Sequence, residues 1–202
     1  EDCGKDFEGT VKAVAKMGYE GVEFAGYYGK KAEELRKILD DCGLKCAGTH
    51  TGLNTLEGDN LKKTIEFNQI IGNKFLIVPG GLPGKRSGAE CGKYFTEIAE
   101  KVKADGMRVG YHNHSHEFKS ENGVTHWETF FGNAGPDVVM QVDTGNCMGG
   151  GGDPVSLLKK FPGRAATVHC KEHYPAGKQG FLGEGEVNWK EFFSLCRTIG
   201  EA

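Results

Sequence analysis

The chain has 202 residues, enough for one domain with a substantial core. Its 25 basic and 28 acidic residues give a formal charge of −3, and no dense Lys/Arg block occurs, so the composition argues against a nucleic-acid partner. Apolar residues make up 38% and never form a run of 18, which predicts no membrane span, and no signal-peptide pattern opens the sequence.

Seven cysteines are spread along the chain without a CxxC pair. This distribution is typical of reduced thiols in a reducing compartment. We therefore expect a cytoplasmic protein, or a periplasmic one if a leader has been removed.

Helical patterns alternate with short β-rich runs, read from apolar spacing, caps and glycine stops. The first half predicts a helix with inward positions from Phe7 to Ala15, a strand at Gly21–Phe24, a helix from Leu35 to Cys42, a strand at Lys45–His50, a helix over Asn60–Ile71 and a strand at Phe75–Val78. The second half predicts a helix with inward positions from Cys91 to Val102, a strand at Arg108–His112, a helix over Thr125–Asn133, a strand at Val138–Asp143, a helix opened by Asp153 and Pro154, a strand at Ala165–Lys171 and a helix from Asn188 to Gly200.

The strands begin 24 to 33 residues apart, which indicates successive βαβ units, a parallel sheet and one domain over residues 1–202. An open doubly wound sheet would normally carry a phosphate-binding glycine loop, and none is present. An α/β barrel of the (β/α)8 TIM type instead places functional side chains at the carboxyl ends of many strands, as this sequence does. Only six strands are predicted, so we expect a TIM barrel that lacks its first and eighth strands.

Two of these strand ends carry metal-ligand chemistry. Asp143 closes an apolar strand, where a carboxylate needs a cation or several donors, although it can also cap the following turn. His169 shares one side of its strand with Lys171. An imidazole beside a carboxylate is typical of a divalent-metal site, so we favour metal ligation at both positions.

Residues 111–117, with the sequence YHNHSHE, form the densest polar cluster. At strand spacing His112, His114 and His116 face one way, as in a two-histidine metal site, whereas a polar loop with a single ligand is an equal alternative. Elsewhere, Glu23 and His50 are candidates for acid–base catalysis or substrate binding, or are loop anchors.

Six motifs occur in a familiar order: GYEGVEF at 18–24, GTH at 48–50, YHNH at 111–114 with EF at 117–118, VDTGN at 142–146, HCKE at 169–172 and LGEG at 182–185. The ordered set resembles the xylose-isomerase-like barrel superfamily, which holds sugar isomerases and epimerases, inosose dehydratases and endonuclease IV. It is most similar to the sugar phosphate isomerase/epimerase branch with a YHNH motif, over nearly the whole chain.

The resemblance implies a divalent ion (Mn, Mg, Co or Zn) held by a Glu, an Asp, a His and a Glu on strands five to eight of the barrel. If the first strand here is the second of the barrel, Asp143 and His169 match the central pair. His112 stands where the first Glu is expected, with Glu117 just beyond, so either is a candidate ligand. The eighth-strand Glu has no counterpart in this sequence.

The implied activity is proton abstraction next to a sugar carbonyl through a metal-stabilised enediolate, giving isomerisation or epimerisation. The candidate catalytic residues are Glu117, Glu23 and Lys171, with His50, His114 and Lys171 as substrate-binding residues. The partner is a small sugar, with no nucleic acid or membrane, and a homo-oligomer is left open. A dehydratase or hydrolase of the same superfamily and a non-catalytic sugar-binding relative are the alternatives.

Overall fold

The computed structural model describes residues 2–80, 87–121, 123–176 and 178–200. Of the glycine-rich stretch GGLPG at 80–84, which matches no phosphate-binding loop, only the first glycine lies among these residues. The chain divides into two compact units, one made of Glu1–Val78 with Val102–Arg108 and the other of Pro79–Lys101 with Val109–Ala202. No helix among the described residues is both long and apolar enough to cross a bilayer.

Strands and helices alternate through most of the described chain. The strands are β1 (Gly21–Phe24), β2 (Lys45–His50), β3 (Phe75–Val78), β4 (Arg108–His112), β5 (Ser120–Glu121), β6 (Val124–Thr125), β7 (Val139–Asp143) and β8 (Val168–His169). The α-helices are α1 (Asp2–Lys5), α2 (Phe7–Lys16), α3 (Ala32–Cys42), α4 (Asn60–Ile70), α5 (Gly88–Lys103), α6 (His126–Asn133), α7 (Thr144–Gly149), α8 (Pro154–Lys160) and α9 (Trp189–Leu195). Two short 3₁₀ helices (Leu53–Leu56 and His116–Phe118) and a π-helical turn (Cys196–Gly200) complete the set.

In the first unit β1, β2 and β3 are parallel and neighbour one another in chain order. Helices α2 and α3 cover this sheet with an apolar cluster that includes Phe7, Phe24, Leu35 and Leu39. Helix α3 ends where Gly43 adopts φ +65°, a left-handed conformation that suits glycine. The predicted stop after Cys42 is therefore confirmed.

In the second unit β4, β7 and β8 are likewise parallel and in chain order, and β5 pairs with β6 as a separate antiparallel hairpin. Its core is aromatic: Phe95, Tyr111, Trp127, Phe130 and Phe131 are almost fully buried and their rings contact one another. Spatial order that follows chain order is the pattern of a βα-barrel, because a doubly wound sheet reverses its strand order. The predicted parallel α/β architecture with six strands is confirmed for the described residues.

The predicted strand at Ala165–Lys171 is too long. Only Val168–His169 pairs with β7, through Val142 and Asp143. Beyond His169 the Lys171 N–H turns back to the His169 carbonyl, at 3.1 Å, so the ladder cannot continue. Helices α1 and α7, the β5–β6 hairpin and the two 3₁₀ helices were not predicted, because all are too short to carry a periodic pattern.

Glu172 fastens the segment between β8 and α9. Its carboxylate accepts hydrogen bonds from Trp189 Nε1 (2.6 Å) and from the backbone N–H groups of His173 (3.0 Å), Gly183 (2.7 Å) and Val187 (3.1 Å). Burial opposes ionisation of this group, but these four hydrogen bonds outweigh it and lower the pKa of Glu172 to about 2. Glu172 was not predicted as a functional residue, and here it is a structural anchor.

We expect the Glu172 anchor to weaken in acid. Its pKa in the folded protein lies below the ordinary glutamate value of about 4.3, so the ionised group contributes stability above that pH and loses it as the pH falls towards 2. Hydrogen exchange followed by NMR is expected to show the amides of Gly183 and Val187 losing protection across this window. Glu172→Gln is expected to lose that protection already at neutral pH.

Glu184→Gln is the matched control for this measurement, because Glu184 lies in the same segment but accepts from a single backbone group, the Phe181 N–H. Protection of Gly183 and Val187 that is the same in Glu172→Gln as in the unaltered protein would contradict the anchor.

Candidate metal centre and active site

The carboxyl ends of β4, β7 and β8 deliver the polar side chains of the second unit. His112 ends β4, Asp143 ends β7 and His169 ends β8. In the sheet register His112 lies opposite Gln141 and Asp143 lies opposite His169. Residues opposite one another on parallel strands present their side chains on the same face, so the ladder itself groups these side chains.

His112 and His169 are close neighbours. Their ring centroids are 4.6 Å apart with the planes at 59°, and a ring nitrogen of each lies within 4.8 Å of the other. His112 is 4% exposed and His169 is partly buried. Two imidazoles at this separation are suited to share one divalent ion.

Gln141 sets the orientation of His112. The Gln141 amide nitrogen donates to Thr167 Oγ1 at 2.9 Å, so its carbonyl oxygen faces His112 Nδ1 at 3.0 Å and accepts the Nδ1–H. This tautomer leaves the lone pair of the imidazole on Nε2, which is the form that ligates a metal or accepts a proton. Gln141 itself is fully buried, so the amide holds one geometry.

Asp143 caps helix α7. Its Oδ1 accepts the Asn146 N–H at 2.7 Å, while Asn113 clamps the Asp143 backbone by accepting its N–H at 2.8 Å and donating to its carbonyl at 3.0 Å. The turn-capping alternative considered for this aspartate is therefore realised. A carboxylate has two oxygens, and its predicted role as a metal ligand stays a prediction.

Lys171 lies on the loop after β8 and is exposed. Its ammonium group donates to Asn146 Oδ1 at 2.8 Å, and Asn146 Nδ2 donates to the Asn113 carbonyl at 3.2 Å. The Thr144 hydroxyl holds the Lys171 backbone, at 2.5 Å to its carbonyl oxygen. The lysine is thus positioned by the same amide groups that clamp Asp143.

Glu117 is engaged within its own loop. It is 1% exposed, and its Oε1 accepts the Tyr111 hydroxyl at 2.7 Å while its Oε2 accepts the His114 N–H at 2.9 Å. Burial, together with this carboxylate, raises the pKa of Tyr111, which keeps the phenol protonated as the donor. The exposed ring of His114 lies 5.3 Å from that of His112, edge to face. Glu117 therefore shapes the loop, and the prediction that it ligates metal or removes a proton stays a prediction.

In the first unit, two further candidates for acid–base catalysis or substrate binding, His50 and Glu23, contact each other. His50 Nε2 lies 2.8 Å from Glu23 Oε1, and both side chains are largely buried, at 17% and 20% exposed. The register between β1 and β2 shifts between Val22 and Glu23, which places Glu23 opposite Gly48. A side chain at Gly48 would crowd the Glu23 carboxylate, with a Cβ 2.9 Å from Oε2, so this glycine makes room for the pair.

Gln141, Asn113 and Asn146 were missed in the sequence as site residues. Gln141 had a detectable signal, because it is the one polar residue inside the apolar run VVMQV. A buried amide needs partners for its donors and its acceptor, so its presence in such a run indicates a local polar network. The two asparagines carried no comparable signal, because Asn is also common in turns.

Comparison with known proteins gives relatives that are named for inosose dehydration and for rhizopine catabolism. The chain is 27% identical to an inosose dehydratase of Clostridium beijerinckii, covering 85% of this chain and 65% of that protein. It is 23% identical to the rhizopine catabolism protein MocC of Rhizobium meliloti, covering 82% of this chain and 57% of that protein. The chain thus spans about two thirds or less of the length of these curated relatives.

A solved structure is similar to this chain in its fold as well. The crystal structure of a sugar phosphate isomerase/epimerase from Parabacteroides distasonis superposes with a TM-score of 0.77 at 26% identity, covering 99% of this chain and 79% of that one. The family model for the xylose isomerase-like TIM barrel matches residues 11–201. The chain belongs to the xylose isomerase-like TIM barrel family, as the ordered motifs and the parallel strands indicated.

Proposed function

We propose that the protein is a divalent-metal-dependent isomerase or epimerase of a sugar or keto-sugar, acting by proton transfer next to a carbonyl through an enediolate. The observation that carries this proposal is the pair of neighbouring histidines, His112 and His169, with the tautomer of His112 held by Gln141. A dehydratase acting on the same kind of substrate is the second candidate, favoured by the likeness to inosose dehydratases. We also propose that residues 1–202 belong to a single domain.

The donor set fits a divalent ion. His112 and His169 offer neutral imidazole nitrogens and Asp143 offers a carboxylate, a mixed set that suits Mn²⁺, Co²⁺ and Zn²⁺ and accommodates Mg²⁺ less readily. When bound, such an ion stabilises the negative charge that develops on a substrate oxygen.

The residues of the chain supply the proton chemistry. We assign the base to Glu23, whose carboxylate is held by His50, and substrate binding to His50 and His114. Lys171 can exchange its hydrogen bond with Asn146 for one to a substrate oxygen and so oppose developing negative charge. Glu117 is given a positioning role, since both of its oxygens are occupied within the loop.

Both candidate reactions begin with the same step. Removal of the proton next to the carbonyl gives an enediolate, which returns a proton to the opposite face in epimerisation or to the neighbouring carbon in isomerisation. In dehydration the same species expels a β-hydroxyl group, which needs a proton donor near that oxygen. Lys171 and His114 are the exposed donors of the second unit that are assigned to this role.

Metal binding is expected to depend on both histidines. In calorimetric titrations with Mn²⁺ and with Zn²⁺, His112→Ala and His169→Ala are each expected to lower affinity by about a hundredfold or more, because losing a ligand costs at least as much as losing its supporting contact. His173→Ala is the matched control, because His173 follows β8 and its Nδ1 lies 3.1 Å from Glu186 Oε2. Unchanged affinity in His112→Ala would contradict the centre.

The same titrations test the role assigned to Gln141. Gln141→Leu is expected to weaken metal binding by about 10- to 100-fold, although it removes no ligand. Gln141→Glu keeps an acceptor for the Nδ1–H of His112 and is expected to retain most of the metal affinity of the unaltered protein. An equal loss of metal affinity in the two variants would contradict the orienting role and would mean that Gln141 acts through packing alone.

Proton transfer is expected to require Glu23. Incubation of ketoses and inososes with the metal-loaded protein in D₂O, followed by NMR, is expected to show deuterium next to the carbonyl, and Glu23→Gln is expected to slow this by about 10²- to 10⁴-fold. Glu20→Gln is the control, because that residue is exposed and precedes the strand. A deuterated sugar indicates isomerase or epimerase activity and a dehydrated product indicates the lyase, whereas exchange that continues undiminished in Glu23→Gln would contradict the assigned base.

A further inference from the structure

The first unit contains a cavity of about 400 Å³ at the amino ends of its strands. Its lining residues include Gly21, Lys45 and Phe75, which are the first residues of β1, β2 and β3. His50 lies at the other end of β2, so roughly 16 Å of strand separate the cavity from the pair that His50 forms with Glu23. In a TIM barrel the carboxyl ends of the strands carry the chemistry, whereas the amino ends contribute to stability. The cavity is therefore separate from the candidate active site.

A break in the strand pairing shapes this part of the sheet. Val22 lies opposite Cys46 and Glu23 lies opposite Gly48, so Ala47 has no partner on β1. Such a β-bulge leaves one residue out of the ladder and bends the strand, and bulges are common beside functional sites. Ala47 is exposed although it lies inside a strand, and it lines the cavity. The bulge thus supplies one wall of the cavity.

Positive charge is concentrated around the cavity. Arg36, Lys45 and Lys74 line it, and Glu20 is the one carboxylate among the described residues that do so. Within the part of the chain that the structure describes, neither lysine forms an ion pair with Glu20 or with another carboxylate. Like charges held near one another without counter-charges repel. An anion that enters the cavity would relieve a repulsion that is already present in the folded protein.

A fourth cation lies beside the cavity. Arg108 begins β4, and its backbone N–H donates to the Lys74 carbonyl at 2.8 Å. Its guanidinium group lies 5.7 Å from the centroid of the Phe75 ring, and this ring lines the cavity. Phe75 therefore offers an apolar wall to a ligand while a cation lies over its ring. Successive strands thus each bring a basic residue to this end of the sheet.

Arg36 is held in place before any ligand arrives. Its Nη1 donates to the Ile71 carbonyl at 2.9 Å and its Nη2 to Asp40 Oδ1 at 2.6 Å, while its Nε is buried without an acceptor among the described residues. Because Asp40 is 64% exposed, water weakens its compensation of the arginine charge. A guanidinium group fixed in this way loses little further freedom when an anion binds.

The backbone donors at these strand ends are already used. The Lys45 N–H donates to the Glu20 carbonyl at 2.9 Å, and the Phe75 N–H donates to Asn73 Oδ1 at 2.9 Å. A ligand is therefore recognised through side chains, and both lysines are exposed and end in ammonium groups on flexible stems. Such groups attract charge without requiring one geometry. The arrangement favours an anion of high charge over an anion of one particular shape.

We propose that this cavity binds a small oxyanion with two or more negative charges, of the phosphate or the dicarboxylate type, between Lys45, Lys74 and Arg36. The bound anion takes no part in proton transfer at the carboxyl ends of the strands. It stabilises the folded first unit, because a ligand that binds only the folded state shifts the unfolding equilibrium towards it. The proposal does not depend on the proposed function.

The test compares phosphate, succinate and acetate at constant ionic strength and mildly alkaline pH, where the first two carry two charges and acetate carries one. Titrations are followed by NMR on the backbone amides of Lys45 and Lys74, so that an ion bound at the histidines does not affect the result. We expect these amides to shift saturably, with at least one dianion binding about tenfold or more tightly than acetate.

The variants Lys45→Met and Lys74→Met are each expected to weaken binding of the dianion by about tenfold, because each removes one charged donor. Lys62→Met is the matched control, because Lys62 is an exposed lysine of the same unit that lies outside the cavity, 3.8 Å from Glu66. It is expected to leave the affinity unchanged.

The two dianions distinguish the two types of ligand. Tighter binding of phosphate assigns the cavity to phosphate groups, tighter binding of succinate assigns it to dicarboxylates, and equal binding supports recognition by charge alone. The proposal would be overturned by acetate binding as tightly as the dianions, by the absence of a saturable shift, or by the same affinity in Lys45→Met and Lys74→Met as in Lys62→Met. None of these results would bear on the metal centre.

Discussion

The buried amide of Gln141 is the contact on which the chemistry of the second unit depends. An amide in the middle of a fully buried strand costs about 1–3 kcal/mol unless its groups are paired, and here Thr167 and His112 satisfy both ends of it. The Gln141 amide nitrogen donates to Thr167 Oγ1, and its carbonyl oxygen accepts the Nδ1–H of His112. Gln141 thus selects the tautomer of His112 that carries its lone pair on Nε2. His169 is the neighbouring ring with which Nε2 is proposed to share a metal ion.

Three carboxylates of this unit hold nearby segments through hydrogen bonds. Asp143 caps α7, Glu117 ties the loop after β4 to Tyr111, and Glu172 gathers the segment that follows β8. Each gathers backbone or side-chain donors that would otherwise lack partners at the end of a strand. The amide groups of Asn113 and Asn146 then connect Asp143 to Lys171. The loops around the histidines are therefore held by hydrogen bonds from these side chains.

Much of the fold was predictable because the signals are local. The bounds of the strands from Gly21 to His112 follow from β-rich runs between glycine stops, and the helices opened by Asp153 and Asn188 begin at side-chain caps that the structure contains. The last strand was overestimated because the β-prone residues from Ala165 to Cys170 extend on both sides of the two that pair, Val168 and His169, and the chain turns back at Lys171. The local sequence does not predict this turn, because the Lys171 backbone is held by the hydroxyl of Thr144, the first residue of α7.

The residue types of the site could be predicted from the sequence, but the contacts between those side chains could not. His112, Asp143 and His169 stand out at strand ends, yet the pairing of Glu23 with His50 depends on a register shift that no periodicity reveals. The polar face of α4, with Asn60, Lys63, Thr64 and Asn68, was not predicted. The Glu23–His50 pair and the polar face of α4 both depend on contacts with distant parts of the chain. Both place polar groups where apolar side chains would stabilise the fold more, which is typical of functional sites.

The proposed centre has His112 and His169 holding a divalent ion, with the His112 nitrogen selected by the hydrogen bond to Gln141. Anomalous diffraction from crystals grown with Mn²⁺ tests this most directly, because it locates the ion without reference to activity. The account predicts a peak within about 2.0–2.3 Å of His112 Nε2 and of a ring nitrogen of His169. A peak centred on Glu117, or a fully occupied ion that contacts neither histidine, would contradict it.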